Sequence, residues 1–220
     1  MDTYKIVAGV DDAGRGPVIG PLIIAGVGLP ESKLYLLKRI GVKDSKELTP
    51  SKRKRLAMLI ERISHKISIK VIDVSLIDSA VLRRNYNGLN HLEAVYVAVV
   101  IREIAPHTVY VDSPDIFPTR FKNMITKCLP AELRHIDVVC ENKADKKYVA
   151  TAAASIIAKE AREHIIKKLK LKFGDFGSGY PSDPKTIEFL RRYYMKYGEF
   201  PPIVRRSWST LDRILGLEKK

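Results

Sequence analysis

The sequence of 220 residues has only two cysteines, no glutamine and no long hydrophobic run. Two cysteines, Cys128 and Cys140, are too few for a disulfide framework or a thiolate zinc site, so both are interpreted as ordinary reduced residues. The longest apolar stretch, residues 18–29, is interrupted by glycines and a proline and is too short to cross a bilayer. Because no signal peptide precedes the first predicted strand, we expect a cytoplasmic protein without a membrane partner.

Negative charge is also scarce relative to positive charge. Lys and Arg number 39 and Asp and Glu 25, which gives a net charge of +14. Basic side chains release condensed counterions from a phosphate backbone, so a polyanion is the expected partner, although non-specific or membrane-surface binding stays open. A hydrophobic fraction of 45% and a charged fraction of 29% are typical of a folded protein rather than a disordered one.

The hydrophobic periodicity predicts an α/β protein. Short apolar or alternating runs predict strands, whereas apolar residues at helical spacing predict helices, one of them capped by Thr49 before Pro50. Their order favours a mixed β-sheet flanked by helices. Strands are predicted at residues 4–10, 21–29, 67–72, 108–112 and 135–140, and helices at 31–40, from 50, at 89–104, 118–128, from 145, and at 184–197 and 207–216.

Acidic residues recur where predicted strands or helices begin and end. Asp11 and Asp12 follow the first strand, Asp112 ends another, and Asp145 begins a long helix. Taken singly, each has a plain structural explanation as a surface turn, a turn starter or a helix cap. Together, four carboxylates without a suitably spaced His or Cys favour Mg²⁺ or Mn²⁺. Paired divalent ions can activate water in phosphodiester hydrolysis, so the acids and the basic charge together indicate a nuclease.

Several separate motifs in one order resemble ribonuclease HII of the archaeal type, over nearly the whole chain. They are GVDDAGRGP at 9–17, DSK at 44–46, VDSP at 111–114, ADKKY at 144–148, AASIIAK at 153–159, GSGYPSD at 177–183 and RRSW at 205–208. The resemblance implies a ribonuclease H-like fold with a catalytic domain over residues 1–176. It also implies a helical C-terminal extension over residues 177–220 that helps to bind the duplex.

The resemblance further implies the reaction. The expected enzyme is a monomer that hydrolyses RNA in RNA/DNA hybrids and nicks DNA 5′ of an embedded ribonucleotide, leaving 3′-hydroxyl and 5′-phosphate ends. Such activity serves ribonucleotide excision and RNA primer removal in replication and repair. Two Mg²⁺ or Mn²⁺ ions would be held by the four catalytic acids: Asp11, Asp12, Asp112 and Asp145.

The same resemblance implies substrate contacts. The backbone of Gly14, Arg15 and Gly16 would recognise the ribose 2′-hydroxyl, the group that distinguishes RNA from DNA. Tyr180 would stack on the sugar of the following nucleotide and hydrogen-bond to the 2′-hydroxyl, and Lys46 would lie near the scissile or the adjacent phosphate. For the C-terminal signature residues, including the candidate phosphate contacts Arg205 and Arg206, phosphate binding and structural packing are equally open.

One position departs from the family pattern, which has Glu where this chain has Asp12. The shorter arm predicts weaker binding of one ion and lower turnover, because Mg²⁺ requires oxygens at about 2.0–2.1 Å. Two other functions stay open: a resolvase-like nuclease that needs no 2′-hydroxyl, and a basic binding module whose acids are turns and caps. The basic run at residues 52–55 is interpreted as a solvated helix face.

Overall fold

A computed structural model of the chain describes residues 5–42 and 48–216. Across that part of the chain, five strands form one sheet in the order β3-β2-β1-β4-β5. The apolar and β-branched runs of the sequence form these strands, which confirms the prediction of strands in all five regions. They are β1 Ile6–Ala13, β2 Leu22–Pro30, β3 Lys66–Ile72, β4 Thr108–Asp112 and β5 Asp137–Glu141.

The sheet is mixed, as predicted. β1 is an antiparallel hairpin partner of β2, and β2 pairs antiparallel with β3. β1 and β4 run parallel, with Val10 opposite Val111, and β4 runs parallel to β5. The carboxyl ends of β1, β4 and β5 therefore meet at one edge of the sheet, where α/β proteins commonly bind ligands.

Helices cover both faces of the sheet. The helices are α1 Leu34–Arg39, α2 Pro50–Ile63, α3 Val74–Val81, α4 Leu89–Ile104, α5 Pro118–Cys128, α6 Ala144–Lys147, α7 Val149–Phe173, α8 Pro184–Tyr197 and α9 Ser209–Leu215. One apolar cluster joins β1, β2 and β4 to α4 and α5, and a second joins β1 and β2 to α1, α2 and α7. α7 crosses β1 so closely that a Cβ at Gly9 would lie 2.1 Å from the backbone carbon of Ala150.

The long helix predicted to open at Asp145 is in fact two helices. The short α6 ends at Lys147, Tyr148 has an extended backbone, and α7 begins at Val149. The Tyr148 ring stacks on Tyr110 with centroids 3.9 Å apart, and its hydroxyl donates to Glu141 over 2.7 Å. These contacts with β4 and β5 hold the break, so a local helical pattern could not reveal it.

The C-terminal helices pack on the segment that joins β1 to β2. Val18 and Ile19 share an apolar cluster with residues of α8 and α9, and Ile19 forms an isolated β-bridge with Val204. This contact brings the far end of the chain next to the glycines that follow β1. Within residues 5–42 and 48–216, no helix is long and apolar enough to span a membrane.

Candidate active site

Asp11 and Asp12 lie on β1 itself, not on a surface turn. Adjacent strand residues point to opposite faces of a sheet. Val10 packs in the α4 cluster and Ala13 in the α7 cluster, so Asp12 lies on the α4 side and Asp11 on the α7 side. Asp11 is only 7% exposed and bonds to Ser155 of α7. The turn interpretation is therefore wrong for this pair.

Asp112 ends β4, the parallel neighbour of β1. Its Oδ1 accepts a hydrogen bond of 2.7 Å from the backbone N–H of Ala144, the first residue of α6. This bond brings the start of α6 to the same edge of the sheet, and Asp145 is the next residue along. Asp145 is buried, and it is not the cap of a long helix.

The carboxylates interact strongly. Burial, with the negative charges of Asp12 and Asp112 in support, raises the pKa of Asp11 well above its ordinary value, although bonds from Ser155 and the Asp12 N–H lower it in part. A buried carboxyl group with two acidic neighbours is stabilised by a cation, and carboxylate oxygens suit a hard divalent ion. The donor chemistry of these three acids therefore fits Mg²⁺ or Mn²⁺.

The positions of the four acids relative to one another differ from those of a formed metal site. Over the described part of the chain, no three acidic, histidine or cysteine side chains are grouped so as to hold a metal ion together. Asp11 interacts directly with Asp12 and Asp112, whereas Asp145 is brought near them through the backbone of Ala144. The role of all four as ligands stays a prediction.

The Gly-Arg-Gly loop, residues 14–16, directly follows β1. Gly14 has a φ of +92°, and a Cβ there would lie 2.5 Å from Arg162 Nε, so a larger residue does not fit. A Cβ at Gly16 would lie 3.6 Å from Tyr180 Cε1, which places the ring directly beside the loop. The structure thus brings together Asp12, the loop and Tyr180, which line one open cavity of about 350 Å³.

Four charged residues of this cavity were not predicted from the sequence. They come from α2 and α7: Arg53, Lys159, Arg162 and Glu163. Arg53 forms an ion pair of 2.7 Å with Glu160 and is only 14% exposed, so interpreting its basic run as a solvated face is wrong at this position. A signal was present, because residues 159, 162 and 163 have the spacing of one helical face.

A fifth residue that was not predicted is Glu93 of α4, which is 1% exposed and forms an ion pair with Arg15. Burial and the charge of Asp12 raise the pKa of Glu93 to about 8, against the lowering effect of Arg15. Its Oε1 is buried and has no hydrogen-bond partner. Glu93 borders a small cavity that Asp11, Asp12 and Asp112 also line.

Of the two roles left open for Arg205, phosphate binding and structural packing, the structure supports packing. Its side chain is fully buried and donates to the carbonyls of Gly14 at 2.5 Å, Arg15 at 2.8 Å and Gly20 at 2.9 Å. Trp208 Nε1 donates to the Gly16 carbonyl at 3.1 Å. All three carbonyls of the Gly-Arg-Gly loop are therefore bonded to the C-terminal signature.

Two other predicted contacts have different outcomes. The Arg206 side chain is 62% exposed and lies 3.9 Å from Glu199, so its contact with phosphate stays a prediction. Lys46, with the rest of residues 44–46, lies outside the described residues.

Comparison with known proteins gives one consistent family. The model of the family described as Ribonuclease HII matches residues 8–211. Ribonuclease HII of Thermofilum pendens is 45% identical over 212 residues, covering 94% of this chain and 98% of that protein. The crystal structure of ribonuclease H2 from Pyrococcus horikoshii superposes with a TM-score of 0.86 at 46% identity, over 95% and 96% of the two chains. RNase HII from Archaeoglobus fulgidus, solved in a complex with PCNA, superposes with a TM-score of 0.83 at 40% identity, over 97% of this chain and 98% of that chain.

Proposed function

The chain belongs to the ribonuclease HII family, and on that premise we propose that it nicks duplex DNA 5′ of an embedded ribonucleotide as well as cleaving RNA in RNA/DNA hybrids. The products carry 3′-hydroxyl and 5′-phosphate ends, and the role is removal of ribonucleotides and RNA primers. The observation that carries the proposal is the cavity in which Asp12, the Gly-Arg-Gly loop and Tyr180 meet beside Asp11 and Asp112.

We assign the metal-binding role to Asp11, Asp12, Asp112 and Asp145. Bound divalent ions supply an activated water and stabilise the leaving oxygen in phosphodiester hydrolysis. The protein holds Asp11 through Ser155 and through the N–H of Asp12 at 2.8 Å, and it holds Asp112 through the N–H of Ala144. These bonds restrict the carboxylates before substrate arrives, which favours rapid hydrolysis.

The substrate is read beside the acids. The backbone of the Gly-Arg-Gly loop is proposed to bind the ribose 2′-hydroxyl, and Tyr180, 41% exposed, to stack on the following sugar. Lys159 and Arg162 line the same cavity and supply positive charge next to the phosphates. A net charge of +14 favours association with a duplex in general. Monomeric action and a cytoplasmic location are proposed with the reaction.

The test compares a duplex that contains one ribonucleotide with its all-DNA twin, in Mg²⁺ and Mn²⁺ separately. We expect a single nick 5′ of the ribonucleotide and no cleavage of the twin. Cleavage of both duplexes would indicate a resolvase-like nuclease. Salt-sensitive binding without cleavage in either metal would indicate a binding module, in which case Asp112→Asn would change nothing.

A further inference from the structure

The guanidinium group of Arg15, whose side chain is 34% exposed, is bound by two side chains of α4. Its Nη1 is paired with Oε2 of Glu93, and its Nη2 donates to Oδ1 of Asn90 over 2.6 Å. Glu93 and Asn90 lie on α4, more than seventy positions further along the chain. The two guanidinium nitrogens are therefore held by two acceptors on one rigid helix.

The orientation of Asn90 is itself fixed. Its Nδ2 donates to Oδ2 of Asp115 over 2.9 Å, so its amide oxygen is the atom turned towards Arg15. Asp115 in turn accepts two hydrogen bonds from Arg120, of 2.7 and 2.6 Å. Asp115 follows Asp112 by three residues, and the connected bonds thus join the segment after β4 to the Gly-Arg-Gly loop.

The loop backbone is held from its other side. The carbonyls of Gly14 and Arg15 accept from Arg205. In a trans peptide the N–H points opposite to the preceding carbonyl, and the described residues contain no cis peptide. The N–H groups of Arg15 and Gly16 therefore point away from Arg205, which leaves them for a ligand.

We propose that Asn90 and Glu93 are positioning residues that set selectivity for ribose, with Arg15 acting as the internal anchor of the loop. The inference rests on the proposed function, in which this loop reads the 2′-hydroxyl. Two glycines give the loop a large backbone freedom. Anchoring its central side chain removes that freedom before substrate binds, so the cost of ordering does not reduce affinity for the ribose.

The experiment uses Asn90→Ala, Glu93→Ala and Arg15→Gln, the last alone and combined with Asn90→Ala. Glu103→Gln is the matched control, since Glu103 also lies on α4 and is bonded to Lys70 and Ser68 of β3, away from the loop. Three quantities are measured: kcat/KM on the one-ribonucleotide duplex, Kd for the all-DNA twin, and the thermal midpoint of each variant.

We expect Asn90→Ala and Glu93→Ala, each of which removes an acceptor of Arg15, to lower kcat/KM about tenfold, because a misplacement of about 1 Å can cost up to about a hundredfold. Kd for the all-DNA twin stays within about twofold and the control keeps wild-type kinetics. The double variant is no worse than Arg15→Gln alone, as expected for residues that act through one another.

Three results would overturn the inference: unchanged kcat/KM in both α4 variants, an equal loss of affinity for the all-DNA twin, or multiplicative losses in the double variant. If one of these results is obtained while the wild-type enzyme cleaves only at the ribonucleotide, the inference is refuted but the proposed function is not. A wild type that does not distinguish the two duplexes refutes the proposed function itself.

Discussion

Replacement of Arg205 by Lys tests whether the C-terminal signature holds the Gly-Arg-Gly loop. The substitution keeps a positive charge but replaces a planar, five-donor guanidinium with a single ammonium. Arg205 bonds three separate carbonyls through three different nitrogens. One ammonium nitrogen cannot lie at all three positions, so we expect it to keep one of these bonds.

The cost follows from the two carbonyls left without a partner. A buried acceptor that loses its hydrogen bond costs about 1–3 kcal/mol, so the free energy of unfolding should fall by roughly 2–6 kcal/mol. The guanidinium also lies 4.9 Å from the centre of the Trp208 ring, and loss of that contact acts in the same direction. Because the loop carbonyls are affected, kcat/KM on the one-ribonucleotide duplex should fall as well.

The assay is urea unfolding at pH 7, with Arg206→Lys as the control. Arg206 is the adjacent residue, but its side chain is largely exposed, so its replacement should change the free energy of unfolding by less than about 0.5 kcal/mol. If Arg205→Lys unfolds at the same urea concentration as this control, the bonds to the loop carbonyls do not stabilise the protein, and the reasoning is refuted.

Three further predictions concern the acids and the core. Asp12→Glu should raise the cleavage rate in Mg²⁺ more than in Mn²⁺, because the longer side chain lets the carboxylate at position 12 reach an ion shared with Asp11. An unchanged cleavage rate in Mg²⁺ would contradict this prediction. Gly9→Ala should lower the free energy of unfolding by more than about 3 kcal/mol or prevent folding, because the added Cβ would overlap the α7 backbone. The control Gly41→Ala, at a φ of +90° with no neighbour within 4 Å, should lower it by only about 1–2 kcal/mol. Equal thermal midpoints for the two variants would argue against the overlap. The bonds from Arg120 lower the pKa of Asp115 from its ordinary 3.8 to about 2. The ionised carboxylate therefore stabilises the folded protein fully above pH 3.8, and this stabilisation is lost as the pH falls through 2. The stability difference between Asp115→Asn and wild type, measured by urea unfolding, should therefore shrink between pH 5 and pH 2, and a constant difference would contradict the assignment.

Some features of the site could be predicted because they are local. The hairpin of β1 and β2 and the helix capped by Thr49 depend on patterns within a few residues, and both are present. The strand that ends on Asp112 is equally local, because a short β-branched run needs no distant partner to be recognised. The position of Asp112 at a strand end could therefore be predicted from the sequence alone.

Other features could not be predicted from local patterns. The break at Tyr148 depends on contacts with β4 and β5 that a helical repeat does not encode. In Arg205-Arg206, two adjacent and identical residue types have opposite environments, one fully buried and the other exposed. Nothing in the sequence distinguishes them, because the difference arises from carbonyls about 190 positions away.

The sequence by itself determined the strands and helices, the family, and the kinds of atom available for the chemistry, since each depends on composition and short-range order. Only the tertiary structure decided which charges are buried and what they hold. The bonds of Arg15 to Glu93 and Asn90, for example, join residues that lie more than seventy positions apart in the chain. A buried charge requires partners, and those partners are supplied by chain segments that become neighbours only after folding.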